Sequence, residues 1–167
     1  MVRDNHTLEG ILTVTDLLRA SVAQSDAERQ VGVGSMMQTP VITATPTMSL
    51  AEVQRLIRDN NLRHVPVVSG KRLVGMITDR NIREALPSLA TTLTHGEIAS
   101  QMATTPIKTC MTKDVVWIGP DITMVDVSRV LLQHTIGCLP VVDNGTLVGV
   151  VTDIDCVRAF LHTVCVA

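Results

Sequence analysis

The chain repeats itself, and an internal repeat restricts a fold more than any single motif does. Residues 37 to 86 align without a gap on residues 111 to 160, at an offset of 74. Met37 falls on Met111, Pro46 on Pro120 and Val53 on Val127. Pro66, Val67 and Val68 fall on Pro140, Val141 and Val142, and Leu73, Val74, Gly75, Thr78 and Asp79 on Leu147, Val148, Gly149, Thr152 and Asp153. The opening stretch matches a third time, at an offset of 139: Asp4, Asn5, Thr7, Leu8, Gly10, Thr13, Asp16, Arg19 and Ala20 recur as Asp143, Asn144, Thr146, Leu147, Gly149, Thr152, Asp155, Arg158 and Ala159. The layout is half a unit (1–20), a polar linker (21–35), a full unit (36–86), a second linker (87–110) and another full unit (111–162).

Each full unit reads β-α-β-β-α. A β-branched run, 41–43 or 115–118, predicts a strand that Pro46 or Pro120 ends. A helix follows, with Leu50, Val53, Leu56 and Ile57, or Met124, Val127, Val130 and Leu131, at helical spacing. Ser49 with Glu52 forms a capping box, and Thr123 with Asp126 approximates one. HVPVV or CLPVV is a second strand, Ser-Gly-Lys or Asp-Asn-Gly a tight turn, and LVGMIT or LVGVVT a third strand, antiparallel to the second. A last helix starts near Asp79 or Asp153. This order demands a right-handed crossover and a small sheet with helices on one side. A unit of about 50 residues buries too little surface to stand alone. The expected fold is therefore α/β (α+β): two tandem units packed sheet to sheet with pseudo-twofold symmetry, plus the N-terminal half-unit.

Apolar residues make up 46% of the chain but aromatics only 1%, so the core is aliphatic and the eight methionines serve as filler. Fourteen Lys+Arg against sixteen Asp+Glu, without stacking aromatics, excludes a nucleic-acid surface. No apolar run approaches the roughly 18 residues of a membrane span, and the polar start does not read as a signal peptide. Cys110, Cys138, Cys156 and Cys165 form no C-x-x-C pair, which reads as a reducing, cytoplasmic setting.

The chemistry gathers where the third strand meets the last helix. The sequence there is G-x-x-T-x-x-D in two copies (Gly10, Thr13, Asp16 and Gly149, Thr152, Asp155) and Gly75, Thr78, Asn81 in the other. A helix N-terminus leaves N–H groups open and favours an anion. The Thr caps the helix or donates to a ligand, and a carboxylate one turn in accepts from vicinal hydroxyls. A cis-diol beside a phosphate describes a ribonucleotide. The glycine admits another group close to the backbone. Ordinary capping explains any one copy equally well. His134 and Cys138 stand four apart but lack the further ligands a zinc site needs. No nucleophile elbow or phosphate loop is present. Trp117 reads as a core or dimer contact before a base-stacking one.

These segments (MMQTPVIT, RHVPVV and LVGMITDRN, then CMTKDVVWI, GCLPVV and LVGVVTDID) resemble the CBS motif, and the pair resembles a Bateman module, over Met36 to Phe160. TDRNIREALPSLATTLTHGEI further resembles the acetoin-utilisation type of CBS-pair protein. The resemblance implies a non-catalytic module that senses AMP, ADP, ATP, S-adenosylmethionine or a dinucleotide in two clefts between the paired sheets, and that dimerises into a disc. It implies one cleft with Thr78 and Asn81 at the ribose, Arg63 and His64 at phosphate, and Val115, Ile136, Gly137 and Cys138 about the base. It implies a second with Thr152 and Asp155 at the ribose and Val41, Leu62, Arg63 and His64 beside the base; Arg80 serves phosphate in either. Both depart from the family's pattern. Asn81 loses a charge-assisted bond of about 1–2 kcal/mol, roughly tenfold in affinity, and Gly137–Cys138 carry no charge. Asp155 marks the better nucleoside site.

The expected function is a regulatory adenine-nucleotide sensor without catalysis, with no required cofactor, a homodimer with a possible protein partner. The alternatives are an interaction module that binds no nucleotide, or the cytoplasmic regulatory part of a larger protein such as a transporter. The half-unit cannot close a core by itself. It belongs to a longer protein, or docks through a helix around Thr15 to Ala20 followed by an exposed linker.

Overall fold

The structure, a computed structural model, describes residues 2–4, 7–23, 31–85 and 94–165. In chain order the elements are β1 (Val2–Asp4), β2 (Thr7–Gly10), α1 (Val14–Ala23), α2 (Val33–Met36), α3 (Leu50–Asp59), β3 (His64–Ser69), β4 (Arg72–Thr78), α4 (Asp79–Ala85), α5 (His95–Thr104), α6 (Met124–His134), β5 (Cys138–Asp143), β6 (Thr146–Thr152) and α7 (Asp153–Cys165). A 3-10 turn, Ile107–Thr109, lies between α5 and α6. The chain divides into two compact units, and neither is continuous in sequence. One comprises Val41–Val116 with Asn144–Leu147; the other comprises Met1–Pro40, Trp117–Asp143 and Val148–Ala167.

In the first of these, Ser49 and Glu52 close the predicted capping box at the start of α3. Leu50, Val53 and Ile57 then face inward, at the spacing of one helix stripe. They meet Val65, Val67, Ile77, Ile82 and Ile107 in an aliphatic core. Strands β3 and β4 pair antiparallel from His64↔Thr78 to Ser69↔Arg72. Gly70 at φ 64 makes the two-residue turn between them. In the other unit Thr123 caps α6. β5 pairs with β6 across Asn144–Gly145, both at positive φ, so this hairpin is antiparallel too. Met124, Val127, Leu131, Leu139, Val141 and Val151 are buried there.

The predicted first strands, 41–43 and 115–118, do not form. Each shrinks to one parallel bridge, Ala44↔Val67 and Ile118↔Val141. Ala44 N–H donates to Pro66 O at 2.9 Å and Val68 N–H to Ala44 O at 2.8 Å; Ile118 and Val142 do the same around Val141. A parallel ladder would continue through the N–H of the residue two further on, and that residue is Pro46 or Pro120. It would extend backward through the N–H of the residue before Val67 or Val141, and that is Pro66 or Pro140. Proline has no N–H, so the ladder stops in both directions.

Both linkers carry structure that the sequence reading left out. Residues 24–30 and 86–93 lie outside the described residues, but α1 runs on to Ala23 and α5 occupies 95–104 with its own capping box, Thr94 with Glu97. α5 buries no residue fully and packs on α3. Helix α1 packs on α6 and α7, burying Leu18 and Ser21. The half-unit thus contributes a helix to the unit of α6 and α7.

Ahead of each full repeat runs a leader, residues 31–40 or 105–114, and each leader belongs to the unit of the other repeat. Val33 N–H donates to Ile122 O at 3.0 Å and Met124 N–H to Val31 O at 2.9 Å. One offset of 74 along, Ile107 N–H donates to Met48 O at 2.8 Å and Leu50 N–H to Thr105 O at 2.9 Å. Val33 and Ile107 are both wholly buried. Residues 36–40 and 111–116, grouped by sequence with the repeats that follow them, therefore lie with the opposite ones.

Candidate functional site at the Thr-x-x-Asp junction

All three junctions have one geometry. Thr78 N–H and Oγ1 donate to Asn81 Oδ1 at 3.0 and 2.6 Å, and Asn81 N–H returns a bond to Thr78 Oγ1 at 3.1 Å. Thr152 does the same to Asp155 Oδ2 at 2.9 and 2.6 Å, with a return at 3.4 Å. Thr13 donates to Asp16 Oδ2 at 3.0 and 2.6 Å, with a return at 3.3 Å. Each Thr is the residue before its helix, so each pair is a reciprocal cap. Thr78 needs an acceptor, which fixes the Asn81 amide with Oδ1 inward. The outer position of the pair then differs between repeats. Asp155 presents a second acceptor, Oδ1, where Asn81 presents an amide donor.

Asp155 is 3% exposed. Its Oδ2 also accepts from Gln38 Nε2 at 2.9 Å, and its Oδ1 faces Arg158 Nη1 at 3.5 Å. Neither residue was singled out from the sequence. Arg158 was findable, because Arg19 stands at the same distance from Asp16 and pairs with it at 3.4 Å. Gln38 carried no signal: Thr112 holds the equivalent place in the other leader, and only the exchange of leaders brings Gln38 to Asp155.

The remaining residues fall into two groups. In the unit of the first full repeat, His64 stands opposite Thr78 across the β3–β4 pair. Arg63 is exposed just ahead of it, and Val41 and Val115 are half-buried. Arg80 Nε pairs with Glu84 at 2.7 Å on an exposed helix face. Leu62 helps line an open groove of about 400 Å³ with Gln54, Ile57, Arg58, Asn61 and Asp79. In the unit of the second full repeat, Gly137 O accepts from Asp153 N–H at 3.1 Å. This brings Ile136, Gly137 and Cys138 to the start of α7, beside Thr152 and Asp155. Trp117 is 56% exposed and lies outside the core.

The Cys138 and Cys156 thiols of this unit are both buried. Burial first, then the neighbouring Asp155 and Asp153, push Cys138 up to about 12. Burial likewise pushes Cys156 up to about 11, against a bond to Ser128 that lowers it. Both stay protonated at neutral pH. Among the described residues no helix is long and apolar enough to cross a membrane.

The glycines of the junction have a structural neighbour. A Cβ on Gly149 would stand 2.5 Å from Met37 Sδ; one on Gly75 would stand 2.8 Å from Met111 Sδ and 2.9 Å from the Thr112 carbonyl. What the glycine admits is the methionine of the exchanged leader.

The model of the CBS domain matches residues 33–88 and 107–162, together more than half of the chain. The CBS domain-containing protein YhcV of Bacillus subtilis is 34% identical over 71% of this chain and 78% of its own length. An inosine-5'-monophosphate dehydrogenase of Korarchaeum cryptofilum is 34% identical over 67% of this chain, which spans only 21% of that enzyme. Among solved structures, protein MJ1225 of Methanocaldococcus jannaschii superposes with a TM-score of 0.77 at 26% identity, over 94% of this chain and 56% of that one. The CBS domain pair of protein MJ0100, solved with 5'-methylthioadenosine and S-adenosyl-L-methionine, gives 0.66 at 28% identity over 80% and 98%. A Vibrio cholerae protein assigned to acetoin utilization, AcuB, gives 0.68 at 29% identity over 82% and 95%. Two family matches, at the two stretches that fold alike, establish that this chain belongs to the CBS-domain family as a tandem pair of repeats.

Proposed function

We propose that the chain is a non-catalytic regulatory module that binds an adenosine compound (AMP, ADP, ATP or S-adenosylmethionine) with Asp155 at the ribose. The observation that carries this reading is the Asp155 carboxyl group. Its Oδ2 is spent on Thr152 and Gln38, while Oδ1 keeps lone pairs for a hydroxyl donor, with Arg158 beside it for an anion. The relative solved with methylthioadenosine and S-adenosylmethionine supports the ligand class. Ligand occupancy biases the packing of the repeats and is read by a partner protein or a second copy, in the cytoplasm or on the cytoplasmic side of a longer protein.

The test is thermal melting with AMP, ADP, ATP, S-adenosylmethionine and NAD, each at about 1 mM. A ligand at 100 times its Kd adds about 2.7 kcal/mol, several degrees for a protein of this size. Asp155→Asn is the informative control, because Asn81 shows that an asparagine makes the same helix cap. A shift lost in Asp155→Asn supports the proposal; a shift that survives moves the ribose to Thr78 and Asn81.

A second reading, an interaction module without nucleotide, draws on the depth of Asp155, whose side chain is 4% exposed. No shift with any compound would favour it.

A further inference from the structure

The half-unit keeps a feature of the full repeats without, among the described residues, the partner that uses it. In each full repeat the residue after the junction glycine pairs with a leader. Gln38 N–H donates to Val150 O at 2.8 Å and Val150 N–H to Gln38 O at 3.2 Å. Met76 and Thr112 exchange the same two bonds at 2.8 and 2.9 Å. The leader methionine, Met37 or Met111, then lies over Gly149 or Gly75.

The equivalents in the half-unit are Gly10 and Ile11. A Cβ on Gly10 would meet nothing within 4 Å. Ile11 is 68% exposed and Leu12 57%, whereas Val151 and Ile77, at the place of Leu12, are wholly buried. Neither the N–H nor the C=O of Ile11 is hydrogen-bonded among the described residues. An unpaired strand end beside exposed apolar side chains is what β-augmentation uses.

We infer that Gly10, Ile11 and Leu12 form an open seat for the leader of a further CBS repeat. The occupant is a segment that exchanges two backbone bonds with Ile11 and lays a methionine over Gly10. The two filled seats in this same chain fix that chemistry: each occupant exchanges its two backbone bonds at a single residue and places a methionine one residue before it. This seat is separate from Asp155, so the inference does not depend on nucleotide binding.

The test uses the full chain and a fluorescent peptide with the sequence of residues 108–116, carrying Cys110→Ser, followed by anisotropy. Saturable binding is expected, weakened at least tenfold when the protein carries Gly10→Val or when the peptide carries Met111→Ala. Gly10 has no positive φ and open space around it, so Gly10→Val is compatible with the fold; an unchanged melting temperature verifies this. Ile11→Pro, which removes the N–H donor, gives a second variant with the same expectation. Absence of saturable binding overturns the inference, as does binding that Gly10→Val and Ile11→Pro leave intact. Concentration-dependent self-association abolished by Gly10→Val, without peptide binding, would make a second copy the occupant and overturn the leader.

Discussion

Thr135 and Gly75 show what a single residue contributes. Thr135 ends α6 at φ 54, in the left-handed region, where a β-branched side chain is strained. The equivalent residue after α3 is Asn61, at φ 51, a residue type that tolerates this conformation. Thr135→Asn is expected to raise stability by about 0.5–1 kcal/mol, read in urea titrations. The junction glycines separate by what a side chain would strike. At Gly75 it meets the Thr112 carbonyl, which is backbone; at Gly149 it meets only the flexible Met37 side chain. Gly75→Ala is expected to cost about 1–3 kcal/mol and Gly149→Ala clearly less, with Met37→Ala relieving the second and nothing equivalent relieving the first. Equal costs at the two positions would contradict this. The caps were legible at this scale, since Ser49, Glu52, Thr123 and Asp126 act within four residues of each other.

At the scale of elements, five of the described helices begin on a Ser or Thr that holds a carboxylate one turn on. The bonds from Ser49 to Glu52, Thr94 to Glu97, Thr13 to Asp16 and Thr123 to Asp126 each hold the acid below its usual value. A folded pKa below the unfolded one means stability that is fully present above the unfolded value and lost as pH falls through the folded one. Stability should therefore hold down to about pH 4 and decline below it. Glu52→Gln should make the acid limb of a melting-temperature profile shallower; an unchanged limb would remove the caps as its cause. Elements were also where local reading failed. The runs at 41–43 and 115–118 have β propensity, yet the prolines on both sides of each bridge deny the ladder its donors. α5 went unread because its stripe is weak, although Thr94-x-x-Glu97 announced its start.

The whole molecule turns on pieces far apart in sequence. α1, from the half-unit, covers α6 and α7 and buries Leu18 to 4% exposure. Leu18→Ala is expected to cost about 2–4 kcal/mol, and limited proteolysis should then cut within α1 before reaching α6. If α1 stays protected and the melting temperature is unmoved, the docked helix does not support the unit. The exchange of leaders belongs here too. It puts Gln38 on Asp155 and Met37 on Gly149, and among the described residues it places no leader on Ile11.

The sequence by itself determined the repeat and its register, and beyond that what lies within about a dozen residues: the capped helices, the tight turns and the Thr-x-x-Asp junction. These follow from side-chain period and from short-range bonds that any reader of the chain can count. The tertiary structure alone decided which leader serves which repeat, that Asp155 is buried beneath Gln38, and that the half-unit rests on α6 and α7. Those contacts span tens to more than a hundred residues, and closing such loops costs little more for one pairing than for another. Local pattern therefore cannot choose among them. The choice falls to which apolar surfaces can be buried together, Met37 over Gly149 and Met111 over Gly75, once both repeats have formed.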